Sequence, residues 1–143
     1  MSSSAPPPAP RTFLRDYEGT AQSLRTTRND VAVWLRGFGC DDDTVERAVL
    51  VASELASNAV QAAAGRSYRV AIVETGPQLV ELTVSNPFVA TSPPDRSRWL
   101  PTTPAAPRGR GLSIVAALSR DVRVDVDDEY VRVTALMQTV SDR

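Results

Sequence analysis

The chain reads as a two-layer α/β (α+β) sandwich, with a mixed, mostly antiparallel sheet covered on one face by three helices. Three observations predict it. Two pairs of short stretches, 67–74 with 78–86 and 121–126 with 130–137, alternate apolar and polar residues around tight turns. Strands with one apolar face belong to an antiparallel sheet covered on one side. Two longer stretches, 20–39 and 40–65, carry apolar residues at helical spacing, and a third, 109–119, opens on a pair of glycines.

Residues 1–10, "MSSSAPPPAP", are rich in Pro, Ser and Ala and read as a disordered tail, leaving 11–143 as one domain. "TFLRDYEG" holds a short edge strand. In "TAQSLRTTRNDVAVWLRGFG", Leu24, Val31, Leu35 and Phe38 form the apolar stripe, and Gly37 and Gly39 suit the helix end. The surface of this helix, with Trp34 and its arginines, is open to two readings: a partner surface, or core packing for Trp34. "CDDDTVERAVLVASELASNAVQAAAG" is the strongest helix. Its aspartates cap and complement the N-terminus, and Val45, Val49, Ala52, Ala56, Ala59 and Ala63 line one face. Apolar residues spread beyond that face at "AVLVA", so this helix is central and covered on several sides.

Tyr68, Val70 and Ile72 share one side of the next strand, and Val80, Leu82, Val84 and Asn86 one side of the strand after "TGPQ". From Pro87 to Arg108 there is no periodicity and there are six prolines, the pattern of a lid or a disordered loop. After the third helix, Val122, Val124 and Val126 face the core with Val131, Val133, Ala135 and Met137 across the turn Asp127–Asp128–Glu129.

Composition excludes several chemistries. All 16 basic residues are arginine, which removes the Walker A loop, the Schiff base and the kinase-type lysine. The absence of histidine removes the catalytic triad, the histidine phosphorelay acceptor and the imidazole metal site. Cys40 alone makes no internal disulfide and no multi-cysteine zinc site. A net charge of -1 argues against general binding to nucleic acid or anionic membrane. No apolar run reaches the ~18 residues of a membrane span, and the N-terminus lacks the segments of a signal peptide, so the expected location is cytoplasmic.

Three constellations carry chemistry. Glu54 and Asn58 lie four residues apart in the most apolar stretch, so both point the same way, one helical turn apart. A half-buried carboxylate must be paired, hydrogen-bonded or protonated. A magnesium nucleotide would satisfy both groups, and so would solvent or an arginine. "PRGRGLSIV", residues 107–115, places Gly109 and Gly111 around Arg110 just before a helix, where backbone N–H groups and the guanidinium groups of Arg108 and Arg110 suit phosphate. The alternative is a flexible loop leading into a helix. In "VSNPF", Asn86 has the parity of the core residues and so faces the helical layer, where its carboxamide can pair with the N6 and N1 edge of adenine. The alternative is an Asn–Pro turn.

Taken in order, these segments resemble the GHKL (HATPase-type) ATP-binding superfamily over roughly residues 13–137. "SELASNAVQAA" is similar to its N box, and "GRGLSIVAALS" to its G2 box in the short form of stand-alone actinobacterial anti-sigma domains. With no phosphotransfer helices and no histidine, the resemblance is to the anti-sigma factor serine/threonine-protein kinase branch. It implies the Bergerat fold, ATP/ADP and Mg2+ as ligands, and Asn58 as the magnesium residue. It implies Glu54 as general base toward a partner's serine or threonine hydroxyl. Gly109, Gly111 and Leu112 would open the phosphate-binding helix, and 87–107 would form the ATP lid. The implied partners are a sigma factor and a STAS-domain anti-anti-sigma factor that displaces it and becomes phosphorylated, with a homodimer as the implied assembly. One departure stands out. Where the superfamily has Asp-x-Gly against adenine, this chain has Asn86-Pro87-Phe88, which implies weakened nucleotide affinity and leaves a contact-only binding module as the alternative.

Overall fold

A computed structural model describes residues 10–62, 65–87 and 110–141. Its elements follow the order strand β1 (Thr12–Tyr17), helix α1 (Ala21–Gly37), helix α2 (Asp42–Ala62), strands β2 (Tyr68–Gly76) and β3 (Leu79–Pro87), helix α3 (Arg110–Leu118), and strands β4 (Asp121–Val126) and β5 (Tyr130–Gln138). The strands form one sheet in the order β1-β2-β3-β5-β4. All four ladders are antiparallel, the pure case of the mostly antiparallel sheet the sequence predicts.

Alternation sets the register. The row Phe13–Ile72–Leu82–Ala135–Val122 crosses the whole inner face, and Val70–Val84–Val133–Val124 runs beside it. Slipping any strand by one residue would turn its apolar set to solvent. The other face carries Asp16 against Arg69 at 2.7 Å and Arg123 near Glu81 at 3.4 Å, exposed pairs of the kind that contribute little to stability. The β2–β3 turn is Pro77–Gln78, with Gln78 at φ 59. Pro87 belongs to β3, paired with Tyr130, and not to the loop where the sequence reading began it. The end of a strand is where a residue without an N–H costs a ladder least.

α1 starts at Thr20, whose hydroxyl accepts from the Ser23 N–H at 3.2 Å, and ends in a Schellman motif. Cys40 N–H donates to Leu35 O at 3.1 Å and Gly39 N–H to Arg36 O at 3.0 Å, with Gly39 at φ +96, a conformation that favours glycine. Its buried stripe is Thr27, Val31 and Leu35, while Leu24 and Phe38 are half-buried. Thr27 is the surprise. Its hydroxyl donates to Ser23 O and meets the Tyr68 hydroxyl at 2.7 Å, and Tyr68 also lies 3.0 Å from Ser23 Oγ. Tyr17 stacks on Tyr68 at 5.5 Å and donates to Asp30 at 2.7 Å, so polar bonds and ring contact together fasten α1 to β1 and β2. Burial, and then the bond to Asp30, pushes the Tyr17 phenol well above its usual range. At Gly19, where the chain turns from β1 into α1, a Cβ would collide with the Arg66 carbonyl, so the close approach there requires glycine.

α2 is capped by Asp41, which accepts from the Thr44 N–H at 2.8 Å. Its buried residues are Thr44, Val45, Ala48, Val51, Ala52, Leu55, Ala56 and Ala59. Val49 is half-buried, and Ala63 lies outside the described residues. The chain after β5 returns to this N-terminus, where Val140 N–H donates to Thr44 Oγ1 at 3.0 Å and Asp41 N–H to Val140 O at 2.8 Å.

Two outcomes follow. Tyr68→Phe removes a partner of the buried Thr27 hydroxyl and the half-buried Ser23 hydroxyl and is expected to lower unfolding free energy by about 1–2 kcal/mol in urea titrations. The Asp41 carboxyl is held below the usual range by hydrogen bonding from the Thr44 side chain and then its N–H. A carboxylate depressed in the native state stabilises above its ordinary value of about 3.9, and that contribution disappears as pH falls through the lowered native value. Melting curves from neutral to acid pH should therefore fall less steeply below about pH 4 for Asp41→Asn, which keeps a capping oxygen but no charge, than for the parent.

Candidate functional site

The site elements are the middle helix, the end of β3 and the start of α3. α2 packs on α1 and on α3 and lies over β2, β3 and β5. α1 also touches β1, while α3 touches β4 and β5, so these two helices flank α2 from opposite sides of the sheet. At about 100° per residue, the buried arc of α2 runs from Val51 through Leu55, Ala48, Ala59 and Ala52 to Val45 and Ala56. Val45 and Val49 border the groove to α1 at one end of that arc. Glu54 and Asn58 flank its other end, next to Val51, on the side left to α3. Both are half-buried. Among the described residues neither side chain has a hydrogen bond or an ion pair. The arginine-capped alternative is therefore not realised among these residues.

Asn86, on the inner face of β3 opposite Val131, is 1% exposed, as its parity predicts. Its Nδ2 donates to Pro87 O at 2.9 Å. One amide hydrogen is thereby committed to the backbone, and the amide is oriented with Nδ2 toward the chain. Bidentate pairing to an adenine edge would have to use the second hydrogen, so the side-chain oxygen is the readier contact.

α3 begins at Arg110, between the two glycines, so Gly111 and Leu112 stand in its first turn. Arg108, Gly109, Phe88 and the loop expected to act as lid lie outside the described residues. Val115, fully buried, anchors α3 in the core.

The fit to a magnesium nucleotide can be tested on the donors present. Among the described residues no three acidic, cysteine or histidine groups are arranged to hold a metal ion by protein ligands alone. Magnesium takes most of its octahedral oxygen shell from water and phosphate and needs only one or two protein oxygens. The Asn58 carboxamide beside the Glu54 carboxylate, neither used by the described residues, fits that demand. The sequence reading did not find the Ser23–Thr27–Tyr68 hydroxyl cluster, although Thr27 sits four residues before Val31 on the apolar stripe, where a threonine must find a partner.

Residues 17–137 match the family model described as the histidine kinase-like ATPase domain. No curated protein matches the chain. A solved structure, "The crystal structure of the RsbU and RsbW domains of Rv1364c from Mycobacterium tuberculosis", is similar in fold, with a TM-score of 0.67 and 19% identity over 90% of this chain. The present chain spans 32% of that one.

The two asparagines should separate on stability. Asn58→Ala removes a half-buried group with no described partner and should stay within about 0.5 kcal/mol of the parent. Asn86→Ala leaves the buried Pro87 carbonyl without its donor and should cost about 1–3 kcal/mol, both read from chemical unfolding.

Proposed function

The chain belongs to the histidine kinase-like ATPase domain family, and from that premise we propose that it is an ATP-binding regulator of the anti-sigma factor kind. Its partners are a sigma factor and a STAS-domain anti-anti-sigma factor, and it phosphorylates a serine or threonine of the latter. The observation that carries this reading is the Glu54–Asn58 pair: half-buried on the central helix, aligned one turn apart, and unused by the described protein.

Each residue has a role in this reading. Asn58 offers its carboxamide oxygen to a magnesium ion. That ion, when bound with ATP, offsets the charge of the phosphates. Gly111, in the first turn of α3, and Gly109 before it let phosphate oxygens approach the unpaired N–H groups of the helix end, while Arg108 and Arg110 add positive charge. Asn86 presents its side-chain oxygen to the exocyclic amine of adenine. The chain has no histidine, and Glu54 is the carboxylate on this strip of α2 that serves as the base. Glu54 takes the proton of the partner's hydroxyl as that oxygen bonds to the γ-phosphorus. The bond from γ-phosphorus to its bridging oxygen breaks, and ADP leaves.

A second reading, contact-only regulation, is favoured by one observation. Asn86 is 1% exposed and tied to Pro87, at the place where the superfamily has Asp and Gly. Calorimetric titration with ADP and ATP, with and without magnesium, separates the two. The kinase reading expects sub-millimolar binding that requires magnesium and is lost in Asn58→Ala. It also expects Glu54→Ala to keep binding while phosphate transfer to a STAS partner falls by roughly 10²–10⁴-fold. No binding at millimolar nucleotide would reject the kinase reading in favour of contact alone.

A further inference from the structure

An open groove of about 330 Å³ runs between α1 and α2, on the α1 shoulder of α2, with Leu50 at its outer rim one turn before Glu54. The function proposed above makes no use of it. Its apolar lining includes Ala32 from α1 and Val49 and Leu50 from α2. Leu50 is 42% exposed, a large apolar side chain at the rim of a concave surface. Arg28 and Arg36 stand one turn to either side of Ala32, so their Cα atoms are about 12 Å apart along the helix. Among the described residues neither has a carboxylate at ion-pair distance. Arg28 only donates to Ser53 Oγ at 3.3 Å, and Glu46, which also lines the groove, makes no ion pair with Arg36.

The sequence left Trp34 and the α1 arginines as an open partner surface, and the structure divides them. Trp34 stacks on Phe38 at 5.1 Å and tilts against Phe13 at 6.1 Å, so it packs toward β1 and is no part of the groove. The arginines remain, placed around an apolar trough.

We infer that this groove docks an amphipathic helix of a protein partner, one that presents an apolar side chain between two carboxylates about two helical turns apart. The charge pattern selects that occupant. Guanidinium groups on stems set two turns apart, one of them turned to Ser53, suit two separate carboxylates better than one small anion. Glu46 inside the groove and a net charge of -1 weigh against nucleic acid or an anionic bilayer. An apolar side chain lying on Val49 and Leu50 gains from desolvation, and the flanking charges set its register.

The test uses the full chain, ¹⁵N-labelled, and two synthetic helical peptides. One carries a leucine with a glutamate four residues to each side; its twin carries lysines in place of the glutamates. The expected result is saturable binding of the glutamate peptide, with amide shifts confined to 28–36 and 45–53. Affinity should fall by roughly tenfold or more for the lysine twin and for the Arg28→Glu/Arg36→Glu variant. Leu50→Ser should lose binding with an unchanged melting curve, since that side chain is already half exposed. Nucleotide binding should be unaffected in both variants, which keeps this test independent of the proposed kinase site. Equal binding of the two peptides, shifts elsewhere, or no binding at millimolar peptide would overturn the inference. So would a native dimer that Leu50→Ser converts to monomer, because the occupant would then be a second copy.

Discussion

The burial of α2 is the constraint on which the rest of the structure depends. One helix must be covered by the sheet below and by a neighbour on each side, and its residues are sized for it. Ala48, Ala52, Ala56 and Ala59 are fully covered and let the backbone lie close to its neighbours, while Val45, Val51 and Leu55 fill the space between. Each Val- or Leu-sized side chain removed from water contributes about 1.5–3 kcal/mol at most. A helix so covered has little room for polar groups. The polar residues on its two shoulders are therefore the informative ones: Glu54 and Asn58 on the α3 side, and Glu46 and Ser53 facing the arginines of α1.

The helical layer is held at its edges by polar bonds, which have direction where apolar packing has none. The Tyr17–Asp30 and Tyr68–Thr27–Ser23 contacts join α1 to the first two strands. Arg15 adds a bond to Asp30 at 2.9 Å. At the other end of the α1–α2 pair, the residues after β5 satisfy the backbone around Asp41 and Thr44. These two clamps orient the axis of α2 over the sheet, and so set which side of it Glu54 and Asn58 occupy. A half-buried carboxylate is tolerable there because solvent or a ligand can still reach it. A fully enclosed one would need a charged partner.

The opposite solution appears at Asn86. It lies deep in the inner face, and its amide is satisfied by the carbonyl of the next residue. A neutral carboxamide tolerates that depth where an aspartate would face a larger desolvation cost. Under the proposed function, the same exchange removes a charge from the base-binding end, so recognition there would rest on hydrogen-bond geometry alone. The polar groups at the two ends of the proposed site are thus left in different states, one spare and one already engaged.

Patterns with short periods were legible in the sequence. Alternation at residues 67–74 and 78–86 located β2 and β3, and it also placed Asn86 on the inner face, because parity along a strand is a local property. The four-residue step from Glu54 to Asn58 aligned them for the same reason, and the glycines at 109 and 111 marked the start of α3 to within a residue. Where α1 hides a threonine could not be read so simply, since Thr27 is covered where Tyr68, 41 residues away, adds a hydroxyl to its local bond with Ser23 O. Strand order was equally out of reach: β5 lies between β3 and β4, and no local pattern states which neighbour a strand will choose. The sequence by itself determined the elements, their inward faces and the residues able to do chemistry, because those follow from periodicity and residue type. Only the tertiary structure decided which polar groups are used up and which stay available: Asn86 is tied to Pro87, while among the described residues the Glu54 and Asn58 side chains have no partner and the arginines of the α1–α2 groove have no carboxylate. A hydrogen bond or ion pair depends on a partner brought within about 3–4 Å by the packing of distant segments.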